Sequence, residues 1–220
     1  MANKLTFIYG AMGSSKTLRL LVTAYNFQEK NIHFICLKPA IDDRDGVGII
    51  HSRVGIERKC QVVSKDDNLY AIIKAEKEKD PELKKVLVDE CQFLTALQVR
   101  TLAKAVDEFS IDAMCYGLRT DFKGELFEGS KALFEWADTI EEVKSHCDCG
   151  NKAIMNARFD ADGFLVLGGA QIQIGGNELY RPLCRKCYNE ASQKSMEHYV
   201  EMHREKINNL LNNSKNEASN

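Results

Sequence analysis

Apolar residues near the start of the chain fall into short blocks separated by polar punctuation. Leu5 to Tyr9 is a β-prone run stopped by Gly10, and Ser15 to Glu29 carries Leu18, Leu21, Val22 and Tyr25 at helical spacing. The pattern predicts strand, loop, helix. His33 to Leu37 is a second apolar strand, which Lys38-Pro39-Ala40 ends because proline removes a ladder donor. The polar stretch Asp42 to Arg58, with Gly46, Gly48 and Gly55, reads as a long loop. Asn68 to Lys79 is helical by pattern, Val86 to Val88 a buried strand, Thr95 to Phe109 another helix and Ala113 to Tyr116 a further strand. Such alternation predicts an α/β fold, a parallel sheet with helices packed on it. After about Glu141 the pattern changes to the short alternating runs Ala153 to Arg158 and Phe164 to Leu167, divided by Asp162-Gly163 and Gly168-Gly169. This predicts a small β-rich subdomain. Cys187 to Leu211 returns to helical spacing, and the polar end is expected to be disordered.

At 220 residues the chain has room for one α/β domain and a small appendage. The reading divides it at 1–141, 142–190 and 191–220. A net charge of −2 argues against a protein whose main work is gripping nucleic acid, which needs a basic face. The first residues lack the features of a signal peptide, and no run approaches membrane-spanning length, so a cytoplasmic protein with small-molecule partners is expected. In a reducing compartment, clustered cysteines point to metal or chemistry rather than disulfides. Four of the eight cysteines stand alone, whereas Cys147, Cys149, Cys184 and Cys187 form two close pairs.

Gly10-Ala11-Met12-Gly13-Ser14-Ser15-Lys16-Thr17 lies between the first strand and the first helix, where a phosphate-binding loop belongs. In such a loop backbone N–H groups point at the phosphates, Lys16 neutralises the β/γ oxygens and Thr17 offers a hydroxyl to Mg²⁺. The usual pattern has glycine where this chain has Ser15, whose Cβ would crowd the phosphates or resist the backbone angle. The same residues also suit a polar helix cap. Val86-Leu87-Val88-Asp89-Glu90 then places two carboxylates at the carboxyl end of a buried strand, where ligands bind in open parallel sheets. Asp89 suits the shell of Mg²⁺, and Glu90 suits a general base that takes the proton of an acceptor hydroxyl.

Cys147-x-Cys149 and Cys184-x-x-Cys187 supply four thiolates, the number a closed tetrahedral zinc site needs. Such a site would pin both ends of the segment from Gly150 to Leu183, which has too few bulky apolar residues to hold itself together by burial. His198, Tyr199 and His203 share a late helix and read as a surface face with solvent-facing or subunit-facing histidines, not as a second metal site.

Asp89-Glu90-Cys91-Gln92-Phe93-Leu94, then Tyr116-Gly117-Leu118-Arg119-Thr120-Asp121-Phe122, Gly124 to Ser130 and Gly176 to Tyr188 resemble the thymidine kinase family, in its zinc-containing, bacterial-type branch. The similarity runs from about Lys4 to about Glu190. It implies a RecA-like phosphate-loop domain and a zinc-anchored lasso, Glu90 as catalytic base, Arg44 near the transferring phosphate, and Gly10 to Thr17 with Asp89, Glu90, Cys91 and Gln92 against ATP and its Mg²⁺. It further implies that Met12, Phe93, Leu118, Phe122, Phe127 and Tyr180 surround thymidine, with Gln171, Ile172, Gln173, Ile174 and Gly175 of the lasso. Apolar walls suit a flat methylated ring. The resemblance also implies dTMP formation in nucleotide salvage, acceptance of deoxyuridine, a homotetramer and feedback inhibition by dTTP. The competing readings are a phosphate-loop kinase or ATPase with another acceptor, and a zinc-ribbon nucleic-acid binder. The second would need a basic face around the cysteines, which the neighbouring acids Glu141, Glu142, Asp160, Asp162 and Glu178 do not provide.

Overall fold

The computed structural model describes residues 3–42, 46–171 and 179–217. Strand β1 (Leu5–Tyr9) feeds helix α1 (Lys16–Glu29), and β2 (His33–Pro39) follows. A hairpin of β3 (Ile49–His51) and β4 (Glu57–Lys59) comes next, then β5 (Gln61–Val63) and α2 (Leu69–Lys79). β6 (Leu83–Val88), α3 (Ala96–Phe109), β7 (Asp112–Gly117), α4 (Glu128–Trp136) and β8 (Thr139–Glu142) complete the main body. The sheet has six strands in the order β5-β2-β6-β7-β1-β8, and every pairing in it is parallel.

Burial on both faces explains the near-continuous apolar runs of the central strands. On one face Leu20, Leu21 and Ala24 of α1 pack with Ile8, Leu87, Tyr116 and Ile50. On the other, Leu69 and Ile73 of α2, Val99, Leu102 and Val106 of α3 and Leu133 of α4 cover Phe7, Val86, Val88 and Ala113. Thr95 and Gln98 start α3 with a reciprocal cap: Thr95 Oγ1 accepts the Gln98 N–H at 3.1 Å and Gln98 Oε1 accepts the Thr95 N–H at 3.0 Å.

The segment read as one loop, Asp42 to Arg58, contains the β3–β4 hairpin, paired from Ile49↔Lys59 to His51↔Glu57. Three-residue strands rich in charge give no alternation to read; what fixes this hairpin is Ile50, fully buried against the α1 face. β2 also runs two residues beyond the expected Leu37, because Pro39 closes against Val63 of β5 at the end of the ladder.

Beyond β8 lies a small subdomain of β9 (Ser145–His146) with β10 (Lys152–Ala153), and β11 (Met155–Arg158) with β12 (Tyr180–Leu183). Its core is Cys147, Ala153, Ala157, Leu165, Leu183 and Cys184, with Phe159 and Tyr188 packed beside it. Helix α5 (Arg185–Glu217) continues past the expected Leu211. Its first turns grip the subdomain: buried Ser195 accepts the Leu165 N–H at 2.6 Å, and Tyr199 donates to Asp160 at 2.9 Å. His198 stacks on Phe164 at 3.7 Å between ring centroids, so this histidine packs within the chain and is left partly exposed. No described helix is long and apolar enough to cross a membrane.

Candidate active site

The loops after β1, β6 and β7 open at the carboxyl edge of the sheet, with β7 between the other two strands. That edge is where an open parallel sheet binds ligands. The turn after β1 is wrapped around the Lys16 side chain, whose Nζ donates to the carbonyls of Gly10 at 3.2 Å and Ala11 at 2.9 Å and to the Ser14 hydroxyl at 3.2 Å. Burial pulls the Lys16 pKa down, while Glu90 and Asp89 push it up. Ser15 occupies the position before α1 with φ 60 and ψ 28, the left-handed region, and its side chain caps nothing. The angle that glycine would take freely is therefore imposed on a residue with a Cβ.

Asp89 and Glu90 follow β6. Asp89 is buried and accepts from the Thr17 hydroxyl at 3.4 Å. Burial, then the neighbouring Glu90, raise its pKa to about 7, against the pull of Lys16. Such a group gains from a divalent cation beside it, and Thr17 and Asp89 together offer the hard oxygens that Mg²⁺ prefers. Glu90 is the second non-glycine residue of the site in the left-handed region, with φ 48 and ψ 39. The Gln92 side-chain amide donates to Glu90 Oε2, while Gln92 Oε1 accepts the Leu118 N–H at 3.0 Å. Both ends of that amide are thereby committed, and the Glu90 carboxylate is held in one direction. Gly117 permits this approach, since a Cβ there would lie 2.6 Å from both Cys91 Sγ and Gln92 Oε1. The Cys91 side chain itself is in the core, and burial holds its thiol well above the ordinary value.

A cavity of about 390 Å³ joins these parts. Its wall includes Met12, Gly13, Ser15, Lys16 and Thr17 of the loop, Glu90 and Gln92 after β6, and the apolar set Phe93, Leu118, Phe122, Phe127 and Tyr180. Phe93 and Phe127 meet edge to face at 5.7 Å. Gln171 also lines it, and its amide donates to Asp121 at 3.1 Å. Gly10, Ala11, Ser14 and Asp89 lie behind the wall, as the structural backing of Lys16 and Thr17. Arg44 and Ile172, Gln173, Ile174 and Gly175 lie outside the described residues.

Several wall residues carry no signal in the sequence. Asn156 of β11 is buried, accepts the Met12 N–H at 2.8 Å and donates to the Thr120 carbonyl at 2.7 Å. It joins the small subdomain to the phosphate loop across 144 positions of sequence. Thr120, Asp121, the hairpin residues His51, Ser52, Arg53 and Val54, and Leu18, Ile41 and Asp42 complete the wall. Lone asparagines, threonines and loop arginines are common on surfaces, and only strand pairing brings these to the cavity.

The sulfurs of Cys147, Cys149, Cys184 and Cys187 all lie within 4.8 Å of one another, and Cys149 and Cys184 are 3.6 Å apart. Four thiolates around a metal at about 2.3 Å would stand roughly 3.8 Å apart, so the donor set fits a closed tetrahedral site. Backbone and side-chain donation from Asn151 and its cysteine neighbours holds the Cys149 thiol down to about 6, while the same sulfur contacts push the Cys187 thiol up, as expected of four thiols sharing protons at one point.

The sheet order, the loop after β1 and the acids after β6 define a RecA-like, phosphate-loop α/β protein, here with an aromatic pocket and a four-cysteine subdomain. A sequence model of the thymidine kinase family matches residues 3–188. The chain is 47% identical over 188 residues to a thymidine kinase of Aliivibrio fischeri, covering 86% of this chain and 97% of that one. Thymidine kinases of Pasteurella multocida, 47% identical over 187 residues, and Yersinia pseudotuberculosis, 46% over 188, match 85% and 86% of the chain and 97% and 95% of their own lengths. The protein belongs to the thymidine kinase family, in its bacterial-type branch. The family match stops where α5 has barely begun.

Proposed function

We propose that this protein is a thymidine kinase that moves the γ-phosphate of ATP to the 5′-hydroxyl of thymidine, giving dTMP for nucleotide salvage. The observation that carries the reading is one cavity whose wall holds a phosphate loop, a fixed carboxylate and an aromatic pocket together. In this reading Gly10 to Thr17 cradle the phosphates of ATP with their backbone N–H groups, and Lys16 leaves its loop carbonyls to meet the β/γ oxygens. Thr17 and Asp89 would hold Mg²⁺, which would supply positive charge against the phosphates. Phe93, Phe127, Phe122, Leu118, Met12 and Tyr180 clasp the base and sugar. The Glu90 carboxylate, aimed by Gln92, takes the proton of the 5′-hydroxyl as its oxygen bonds to the γ-phosphorus, and ADP leaves with the bridging oxygen.

The four-cysteine cluster is proposed to hold structural Zn²⁺, which fastens residues 142–190 as a lasso with Gln171 to Gly175 over the base. Arg44 is proposed beside the transferring phosphate. Deoxyuridine as a second acceptor, feedback by dTTP and a homotetramer rest on the family resemblance, and a cytoplasmic location on the sequence reading. The test is ATP-dependent dTMP formation with Mg²⁺, wild type beside Glu90→Gln. The variant is expected to lose about 10²–10⁴ in kcat and to keep its ATP affinity. No dTMP from zinc-replete wild-type protein overturns the reading.

A further inference from the structure

The β3–β4 hairpin, hidden in a segment that reads as loop, presents a cation to the cavity. Its turn is tightly tied: the Ser52 N–H donates to the Ile56 carbonyl at 2.8 Å, Ser52 Oγ accepts the Ile56 N–H at 3.2 Å, and the Gly55 N–H donates to the Ser52 carbonyl at 2.9 Å. Gly55 supplies the left-handed angle, φ 84, and Ser52 is 3% exposed. With its base buried and its turn closed, the tip has little freedom, and Arg53 lines the same cavity as Ser15, Lys16 and Thr17. Among the described residues, no carboxylate or carbonyl hydrogen-bonds or pairs with the Arg53 guanidinium.

Two cations therefore face one cavity, close enough that Arg53 helps to lower the Lys16 pKa. Glu90 and Asp89 offset that repulsion at Lys16, and an anion entering between the two cations gains from both. Phosphate fits, because a guanidinium matches two non-bridging oxygens at once.

We propose that Arg53 is a second phosphate-binding cation of the site, which engages the outermost phosphate of ATP opposite Lys16. The assignment rests on the reading of the loop as an ATP site. Arg53 adds charge where the γ-phosphoryl group is held and transferred, and it does so from an element outside the phosphate loop. Triphosphate binding should then recruit the hairpin, whereas ADP, which lacks the outermost phosphate, should not.

The test compares Arg53→Ala and Arg53→Lys with wild type in the full chain, by calorimetric binding of a non-hydrolysable ATP analogue and of ADP, and by steady-state kinetics. Arg58→Ala is the control: it removes an equal charge from the same hairpin, and its guanidinium is occupied by Gln28 at 2.7 Å and by the Phe34 ring. Loss of a charge-assisted contact in Arg53→Ala is expected to weaken the triphosphate analogue about tenfold or more. ADP affinity and the thymidine KM stay within about twofold, and lysine recovers part of the loss because it keeps the charge without the fork. Equal weakening of ADP and the analogue, an equal effect from Arg58→Ala, or no effect in Arg53→Ala overturns the assignment while leaving the ATP site intact. Wild-type protein that binds neither nucleotide overturns the ATP site and this assignment together.

Discussion

Ser15 and Glu90 are held in left-handed backbone in the loops after β1 and β6, the two proposed to act on ATP and its acceptor. Each side chain in that region costs about 1–2 kcal/mol, and at Ser15 no cap hydrogen bond offsets it. Ser15→Gly is therefore expected to raise the stability of the ligand-free chain by about 1 kcal/mol, roughly 2–4 °C in Tm, with ATP affinity equal or better; calorimetric melting and an ATP titration check both. Asp89 gives a pH-dependent counterpart. Its folded pKa, raised to about 7 by burial and by Glu90, exceeds that of an unfolded carboxylate. The protonated form thus favours folding, fully so below about pH 4, and the contribution is lost as pH rises through about 7. Melting of Asp89→Asn without Mg²⁺ or nucleotide should match wild type near pH 4, exceed it increasingly from about pH 4 to 7, and keep a constant margin above that. At this scale the phosphate loop, the paired acids and the cysteines were legible because their chemistry is contiguous in sequence. Asn156, Thr120 and Arg53 were not, since each is a common residue whose neighbours come from distant elements.

Among elements, the long apolar strands and amphipathic helices of the main body were readable, and the caps explain their edges: Asn68 and Thr95, read as first helical residues, sit one position before α2 and α3 and accept N–H groups of the first turn. β5, α4 and β8 escaped the reading. α4 has nine residues and β8 exposes Ile140, so neither carries a sustained period, and their places are set by packing on α3 and pairing with β1. Helix α5 has its own testable role. Ser195 is the partner of a buried N–H in the lasso subdomain. Ser195→Ala should leave the Leu165 N–H unpaired at a cost of about 1–3 kcal/mol. Hydrogen exchange should quicken at Leu165 and its neighbours, with the main sheet unaffected.

The whole molecule combines a large body, buried on both faces of its sheet, with a subdomain whose core is six small or medium residues, two of them cysteines of the four-sulfur cluster. Stability is unevenly shared, which composition foretold through the thin apolar content between the cysteine pairs. Stripping the metal with a chelator, or Cys184→Ser, should abolish saturable thymidine binding while the main body retains its helical circular dichroism and its upper thermal transition. The hydrogen bonds of Asn156 reach across that divide. One comes from the phosphate loop at Met12, the other goes to the carbonyl of Thr120 in the wall of the aromatic pocket. With ATP and thymidine bound as proposed, any shift of the loop and any shift of the pocket would act on a single amide, and the linkage would be reciprocal: by whatever factor ATP alters the affinity for thymidine, thymidine must alter the affinity for ATP by the same factor.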